Sequence, residues 1–485
     1  MTGPVPALAD RADRCAERLL DSESVLLASH IDADGLTSAA VASSALARAG
    51  LDHEVVFEKQ LDADRIAAIA AREQETVLFT DFGSGQLDVV GEHEAAGDFV
   101  PVIVDHHQPA DAETRFHLNP LLEGIDGASE LSGAGAAYLL ARALADAGAG
   151  PDGEEATERP SVDPQNRDLA ALAVVGAVGD MQAVGGELVG ANAAVVAEGV
   201  EAGVLEEGTD LTLYGKQTRP LPKLFEYATE VPIPGVSGDE AGAIRFLDGL
   251  GLDLKEGGEW RTWADLADDE RQAVASALVR RAVERGVPAD KIDALVGTTY
   301  TLTDEPVGTE LRDASEFSTL LNATARYERA DVGLAVCLGD RTGALDRARR
   351  LLSNHRRNLS EGIDYVEREG VTREDHLQWF DAGEAIRETI VGIVAGMALG
   401  TDGVDADRPI VAFASKNDEE TKVSARGTGP LVGRGLDLSA VMRAAARSVG
   451  GDGGGHDIAA GATVPAGRER EFVDAADDIV GEQLG

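Results

Sequence analysis

Short apolar runs alternate with longer amphipathic or alanine-rich segments in the first third of the chain. Each run has the length of a buried strand, and each following segment has the spacing or composition of a helix. The predicted strands are residues 25–28, 53–58, 76–80 and 99–104, and the predicted helices are residues 36–49, 62–72 and 132–147. Because strands alternate with helices, the pattern predicts a parallel sheet over residues 21–181.

The pattern changes twice further along the chain. Residues 148–164 are predicted to form a surface loop, residues 168–178 a buried helix, and residues 201–310 a mostly helical insertion with a charged helix at 268–285. A second α/β pattern begins near residue 311. Its predicted strands are residues 332–338, 410–415 and 421–426, and its predicted helices are residues 384–398 and 438–449. We therefore predict an N-terminal α/β domain (1–204), a helical insertion (205–310) and a smaller C-terminal α/β domain (311–485), with the active site in the cleft between the two α/β domains.

Composition narrows the class of protein. The apolar fraction of 44% suits a globular core, and no apolar run reaches 18 residues. The first twenty residues mix acids and bases, unlike a signal peptide, so we expect a cytoplasmic protein. Cys15 and Cys337 lie in apolar segments and are expected to be buried thiols.

The net charge of −44 is spread along the chain, and seven of the 43 basic residues are lysines. Such a surface is expected of a protein from a salt-rich (halophilic) cytoplasm, although an ordinary acidic soluble protein has the same charge sign. The overall charge disfavours nucleic acid as a partner at low salt, unless a local basic groove contacts the phosphates.

Acidic and histidine side chains follow the ends of the apolar runs. His30, Asp32 and Asp34 alternate within one turn, so the three side chains can face one point. Read alone, this turn is as consistent with helix capping as with metal binding. Asp81 follows the next buried run. Because ligands gather beyond the carboxyl ends of parallel strands, the repetition favours a metal site.

Two later segments extend this pattern. Residues 105–107 are Asp-His-His after a buried run, and Asp180 ends a nearly all-apolar segment, so both are costly to bury without partners. Carboxylates combined with imidazoles suit Mn²⁺ or Mg²⁺ better than a structural zinc ion, which prefers thiolates. The set therefore predicts two divalent metal ions, most readily Mn²⁺.

Two groups near the C-terminus are candidates for contact with phosphate. Gly453, Gly454 and Gly455 precede His456 and are expected to form a loop whose backbone N–H groups cradle an anion, with Arg426 as a further contact. A basic patch consists of Arg341, Arg347, Arg349, Arg350, Arg356 and Arg357, near His355. This patch fits a track for a nucleic-acid backbone and, equally well, a solvated helix face paired with acids.

The order of these motifs resembles the DHH phosphoesterase superfamily. His-x-Asp-x-Asp-Gly, a lone Asp, Asp-His-His, a later Asp and Gly-Gly-Gly-His follow each other as in its RecJ-like branch, whose C-terminal part is a DHH-associated domain. The resemblance covers about residues 21–200 and 311–485. The insertion between the two parts is similar to that of archaeal RecJ-like nucleases that associate with the replication helicase, and of their eukaryotic helicase-subunit relative.

The resemblance implies a role for each candidate residue. The first metal position would be formed by His30, Asp32 and Asp81. The second would be formed by Asp34, Asp81, His106 and Asp180. Asp105 would orient a ligand and His107 would face the scissile phosphate, which makes these two the catalytic candidates. Substrate would be bound by Arg426, Gly453, Gly454, Gly455 and His456.

The implied activity is stepwise release of mononucleotides from single-stranded DNA or RNA by two-metal hydrolysis, in replication or repair. The alternatives are a phosphodiesterase for short oligonucleotides or cyclic dinucleotides and a non-catalytic scaffold bound to the replicative helicase. A pyrophosphatase would share the first four motifs, but the Gly-Gly-Gly-His segment does not fit its C-terminal pattern.

Overall fold

Two mixed α/β units make up the chain, Met1–Ala348 and Arg349–Gly485. The structure is a computed structural model that describes residues 3–148, 163–228, 231–401 and 403–485. Most of the predicted surface loop at 148–164 lies outside these described residues. Across the described ranges, no helix is both long and apolar enough to cross a membrane.

A five-stranded parallel sheet forms the centre of the first unit. Its strands are β1 (Ser24–His30), β2 (Asp52–Glu58), β3 (Thr76–Thr80), β4 (Val100–Val104) and β5 (His117–Leu118). They lie in the order β2-β1-β3-β4-β5, so β1, β3 and β4 are neighbours. The predicted parallel sheet is confirmed, and the carboxyl ends of these three strands meet at one edge.

Helices cover both faces of this sheet. They are α1 (Ala9–Leu20), α2 (Ala33–Arg48), α3 (Ala63–Ala70), α4 (Leu87–Ala96), α5 (Gly133–Gly148), α6 (Ala170–Gly179) and α7 (Gly190–Glu201). Ile66 of α3 and Val90 of α4 share a core with Leu26 and Phe79 of the sheet, whereas α2 packs on the other face with α5 and α6. A strand covered on both faces is apolar throughout, and burial of a leucine such as Leu26 contributes about 1.5–3 kcal/mol.

The inserted segment has its own core. An antiparallel ribbon of β6 (Leu205–Leu211) and β9 (Val296–Leu302) brackets it. Between them lie α8 (Leu221–Glu226), α9 (Glu240–Asp248), β7 (Lys255–Glu256), β8 (Glu259–Trp260), α10 (Asp268–Glu284) and α11 (Ala289–Asp293). Phe225, Trp263 and Leu278 are buried together among these elements. Helices account for more of the segment's regular structure than strands do, but the predicted mostly helical insertion also contains the bracketing ribbon and the β7–β8 pair.

Two further helices, α12 (Ala314–Arg326) and α13 (Ala330–Cys337), complete the first unit. The predicted strand at 332–338 is wrong, because this segment belongs to α13. A short apolar run does not distinguish a strand from a buried helix. The helix packs closely on α2, where a Cβ on Gly333 would lie 2.7 Å from a methyl carbon of Leu36.

The second unit is built on a six-stranded mixed sheet, in the order β10-β11-β12-β13-β15-β14. The helix α14 (Gly343–Glu369) begins before the unit boundary. The other elements are β10 (Thr372–Arg373), β11 (Gln378–Asp381), α15 (Val391–Ala398), β12 (Ile410–Ser415), β13 (Glu420–Arg426), α16 (Gly429–Gly433), α17 (Leu438–Ser448), β14 (Asp452–Gly455), β15 (Ala459–Pro465) and α18 (Glu469–Leu484). α17 and α18 cover one face, and α15 covers the other.

Two predictions for the second unit need correction. The helix predicted at 384–398 begins only at Val391, because the preceding residues form turns, in which Ala385 N donates to Ala382 O at 2.7 Å. Gly453–Gly455 is not a loop: it belongs to β14, which pairs antiparallel with β15. Glycine has little strand propensity, and the pairing with β15 holds this segment extended.

Candidate metal centre

Neighbouring strand ends bring the motif residues of the first unit to one place. His30 is the last residue of β1, Asp81 directly follows β3, and Asp105 directly follows β4. Since these strands are adjacent and parallel, their carboxyl ends converge, as they do at ligand sites of open α/β sheets. Asp180 is not at a strand end but follows the last residue of α6.

The turn between β1 and α2 places two carboxylates differently. Asp32 caps α2 and accepts a hydrogen bond from Gly35 N at 2.9 Å. Asp34, in the first turn of α2, is buried and accepts hydrogen bonds from Gly133 N (2.7 Å) and Ala134 N (2.9 Å) at the start of α5. Gly35 allows this turn, because a Cβ there would lie 2.1 Å from His30 O. The helix-capping alternative is therefore correct for Asp32, and capping leaves its second oxygen facing His30.

Asp81 is a buried carboxylate whose near neighbours are the imidazoles of His30 and His106. It is 2% exposed, and neither oxygen accepts a hydrogen bond from any residue that the structure describes. Its backbone is left-handed, with φ 60°, a conformation that costs energy for a residue other than glycine. A buried charge without hydrogen bonds costs several kcal/mol unless another ion compensates it. This orphaned carboxylate fits a metal ligand.

Two groups of ligand atoms surround Asp81. On one side, His30 Nδ1 lies 3.2 Å from Asp32 Oδ2 and 3.5 Å from Asp81 Oδ2. On the other side, His106 Nε2 lies 3.2 Å from Asp81 Oδ1, 3.7 Å from Asp34 Oδ2 and 3.8 Å from Asp180 Oδ2. Each group could hold a cation. The structure thus brings together all six side chains predicted as metal ligands, with one Asp81 oxygen facing each group.

Burial and mutual repulsion within the acidic cluster shift the pKa values of several of its members. Burial raises the pKa of Asp34, and the charges of Asp81 and Asp180 raise it further. Burial also raises the pKa of Asp180, partly offset by His106. For His30, burial opposes protonation, but the carboxylates of Asp32 and Asp81 outweigh it and raise the pKa to about 11. These shifts all favour proton uptake, and a divalent cation would compete with protons for the same carboxylates and imidazoles.

Asp105 and His107 form a separate pair beside the ligands. Asp105 is fully buried; its Oδ1 accepts from His107 Nδ1 at 2.8 Å, and its Oδ2 accepts from Ser84 N at 2.9 Å. Burial of Asp105 is outweighed by these contacts, which keep its pKa below the usual range. The hydrogen bond from His107 to Asp105 raises the pKa of His107, whose side chain is 55% exposed. His107 is therefore an accessible imidazole, oriented by Asp105, next to the ligand groups.

The predicted substrate residues lie in the second unit, at one end of its sheet. Arg426 ends β13 opposite Ala459 of β15, and Ala460 of β15 pairs with Gly455 of β14. His456 starts the turn between β14 and β15, where its N donates to Ala459 O at 2.9 Å. Arg426, the glycines and His456 thus lie at the same end of the sheet, with β15 between Arg426 and the glycines, and their role in substrate binding stays a prediction.

The basic patch lies on and before α14. Arg341 is paired with Glu305, and Arg357 donates to Asn354 Oδ1 at 2.9 Å and lies 3.9 Å from Glu361. For these two arginines, the pairing agrees with the solvated helix face that the sequence analysis kept as one alternative.

Sequence reasoning missed two buried amides near the ligands. Gln182 is 1% exposed and Asn192 is 2% exposed, and they are hydrogen-bonded to each other. The available signal was a polar residue two positions after Asp180, in a segment with few other polar groups. Neither amide belongs to a residue type that by itself indicates metal chemistry.

Three family models match separate parts of the chain. The DHH family N-terminal domain matches residues 24–176, the DHH-CID domain residues 213–296, and the DHHA1 domain residues 377–482. Each match lies inside one of the three predicted domains, whose boundaries at 204/205 and 310/311 stay a prediction. Residues 311–348, which the sequence analysis gave to the C-terminal domain, lie in the first of the two units.

The chain is similar over most of its length to known proteins. It is 29% identical over 463 residues to the uncharacterized protein MJ0831 of Methanocaldococcus jannaschii, covering 94% of this chain and 93% of that protein. The fold is similar to RecJ of Thermus thermophilus with Mn²⁺ (TM-score 0.61, 18% identity, 99% of this chain), but the chain spans only 56% of that protein. It is also similar to CDC45 of Entamoeba histolytica (TM-score 0.62, 11% identity, 98% of this chain and 97% of that chain).

A second RecJ structure, described as an exonuclease bound to manganese, matches with a TM-score of 0.60 and 18% identity, over 99% of this chain and 96% of that one. At such identities the likeness shows the fold. Together with the three family models, it places the chain in the DHH phosphoesterase superfamily. Within that superfamily, the fold is RecJ-like.

Proposed function

We propose that the chain is a metal-dependent phosphodiesterase that releases mononucleotides stepwise from single-stranded nucleic acid. The observation that carries the proposal is Asp81, a buried carboxylate with no hydrogen bond from the described residues and with one oxygen facing each of two ligand groups. A shared carboxylate between two imidazole-carboxylate groups suits a pair of hard divalent ions. RecJ structures contain Mn²⁺ or Mg²⁺, and Mn²⁺ is the ion we expect here.

Different residues would bind the metal ions and contact the phosphate. Two divalent ions, when bound, supply an activated water molecule and neutralise charge on the phosphate. His30, Asp32 and Asp81 would hold one ion, and Asp34, Asp81, His106 and Asp180 the other. His107, oriented by Asp105 and exposed, would donate a hydrogen bond to a phosphate oxygen as negative charge develops.

The second unit is proposed to hold the single-stranded nucleic acid. Arg426 and the backbone of β14 lie at one end of its sheet, with His456 in the adjoining turn. β14 is an edge strand, so one row of its backbone N–H groups is not used by the sheet. Arginine and backbone N–H groups both bind phosphate without reading base identity, as an exonuclease requires.

The proposal is tested by hydrolysis of end-labelled single strands, DNA and RNA, from two to about thirty nucleotides, with Mn²⁺ and at high salt because of the net charge of −44. A ladder of single-nucleotide losses from long strands supports the proposal, and the labelled end gives the polarity. Activity confined to two to five nucleotides would instead identify a short-oligonucleotide phosphodiesterase.

Asp81→Asn should abolish the Mn²⁺-dependent hydrolysis, whereas Asp88→Asn, on the exposed side of α4, should retain it. Retained activity in the Asp81 variant would refute the site. A second candidate is a scaffold associated with the replicative helicase, and the likeness of the fold to CDC45 is the observation that favours it. Absence of hydrolysis by a wild-type protein with bound Mn²⁺ would support that candidate.

A further inference from the structure

Gln182 connects two of the candidate metal ligands. Its Nε2 donates to Asp180 Oδ2 at 2.9 Å and to Gly127 O at 2.8 Å. The side chain is buried, and its Oε1 accepts from Asn192 Nδ2 at 2.6 Å. Both the nitrogen and the oxygen of the amide are therefore hydrogen-bonded, which fixes its orientation.

The same carbonyl oxygen also orients His106. His106 Nδ1 lies 2.6 Å from Gly127 O, and a carbonyl can only accept, so Nδ1 carries the proton. This leaves Nε2 to face Asp34, Asp81 and Asp180. His106 Nδ1 and Gln182 Nε2 lie 3.3 Å apart because both donate to one oxygen.

Asn192 extends the network towards the third ligand. Asn192 Oδ1 accepts from Ser132 N at 3.4 Å, at the start of α5. The next two backbone N–H groups, of Gly133 and Ala134, hold the Asp34 carboxylate. His106 and Asp180 are thus connected through hydrogen bonds to Gly127 O and Gln182, and Asp34 is linked to the same network through the backbone of residues 132–134. Asp32 lies outside it, because its backbone contact is with Gly35 N.

We infer that Gln182, supported by Asn192, is a positioning residue that selectively sets the affinity of the second metal position, the one formed by Asp34, His106 and Asp180 with Asp81. The inference rests on the proposed function, since it assumes that both ligand groups bind ions. Groups that orient metal ligands typically change metal affinity 10- to 100-fold when they are removed. Because the network does not reach Asp32, the first position should keep its affinity.

The test is a Mn²⁺ titration of the full-length chain, followed by the electron paramagnetic resonance signal of free Mn²⁺. Wild type should bind two ions. Gln182→Met keeps the volume but removes all three hydrogen bonds, so one ion should bind as in wild type and the other 10- to 100-fold more weakly. The spectrum of a coupled ion pair should give way to that of a single Mn²⁺ ion at intermediate concentrations.

A matched control separates positioning from a general loss of stability. Gln378, in the second unit, is also fully buried; its Nε2 donates to Asp405 O and Arg408 O, and its Oε1 accepts from Asp405 N. Gln378→Met should destabilise the protein but leave both Mn²⁺ affinities unchanged. Asn192→Ala, which keeps Gln182, should weaken the same metal position by a smaller factor and replaces Gln182→Met if that variant does not fold.

The outcomes are distinguishable. Two unchanged affinities in a folded Gln182 or Asn192 variant would overturn the inference while leaving the proposed function intact. Equal weakening of both positions would overturn the claimed selectivity. A wild-type protein that binds no Mn²⁺ would overturn the proposed function and the inference together.

Discussion

Replacing Asp81 by asparagine should uncouple the stability of the protein from divalent metal ions. The substitution keeps the shape of the side chain but removes the one carboxylate that faces both ligand groups. At a Mn²⁺ concentration 100 times the dissociation constant, binding at one site stabilises the folded state by about 2.7 kcal/mol. With roughly 2 °C per kcal/mol for a unit of this size, the two ions together should raise the melting temperature of wild type by about 10 °C.

The same arithmetic applies to the variant. If the loss of the shared carboxylate weakens binding at both positions about 100-fold, the same Mn²⁺ concentration stabilises the protein by only about 0.4 kcal/mol per ion, and the two ions together raise the melting temperature by roughly 2 °C. The measurement is thermal unfolding with and without Mn²⁺, and Asp88→Asn is the control because Asp88 is exposed on α4. A shift of about 10 °C that persists in the Asp81 variant would refute the role of this carboxylate.

Three further predictions follow from the same geometry. The folded protein raises the pKa of His30 to about 11, so protonated His30 stabilises the fold fully below pH 6.5 and loses this contribution as pH rises towards 11. Because Mn²⁺ competes with that proton, Mn²⁺ should stabilise the protein more at pH 8.5 than at pH 6 and should release protons on binding. Calorimetry in buffers of different ionisation enthalpy measures the proton release. Gly133→Ala should weaken Mn²⁺ binding in the titration followed by electron paramagnetic resonance, because the added Cβ would lie 2.6 Å from Asp81 Oδ1. Gly91→Ala, which has open space around the added Cβ, should bind Mn²⁺ as wild type does. His107→Ala should retain two Mn²⁺ ions yet lower the hydrolysis rate about 10²- to 10⁴-fold; unchanged turnover would exclude His107 from the reaction.

The sequence was sufficient to predict the part of the site that lies at the ends of neighbouring strands. His30, Asp81 and Asp105 follow apolar runs whose two-sided burial made the parallel sheet predictable, and a parallel sheet brings its strand ends to one edge. The family resemblance then assigned the ligands to two positions, and the structure places one Asp81 oxygen towards each group.

Other features depend on contacts that a local pattern does not contain. The helix α13 was mistaken for a strand because its short apolar run is compatible with both, and its close packing on α2 near Leu36 is a long-range contact that the local pattern does not contain. β14 is held by its pairing with β15 despite three consecutive glycines. Gln182 was not predicted as part of the site, because its hydrogen bond to Gly127 O spans 55 residues and a glutamine by itself does not indicate a metal site.

The most direct test of the account is the location of Mn²⁺ by anomalous scattering from crystals of the protein grown with the ion. We expect two peaks, roughly 3.5–4 Å apart, with Asp81 contacting both ions. One peak should lie beside His30 and Asp32, and the other beside Asp34, His106 and Asp180. A single ion, or two ions with Asp81 contacting neither, would contradict the two-metal centre on which the proposed function rests.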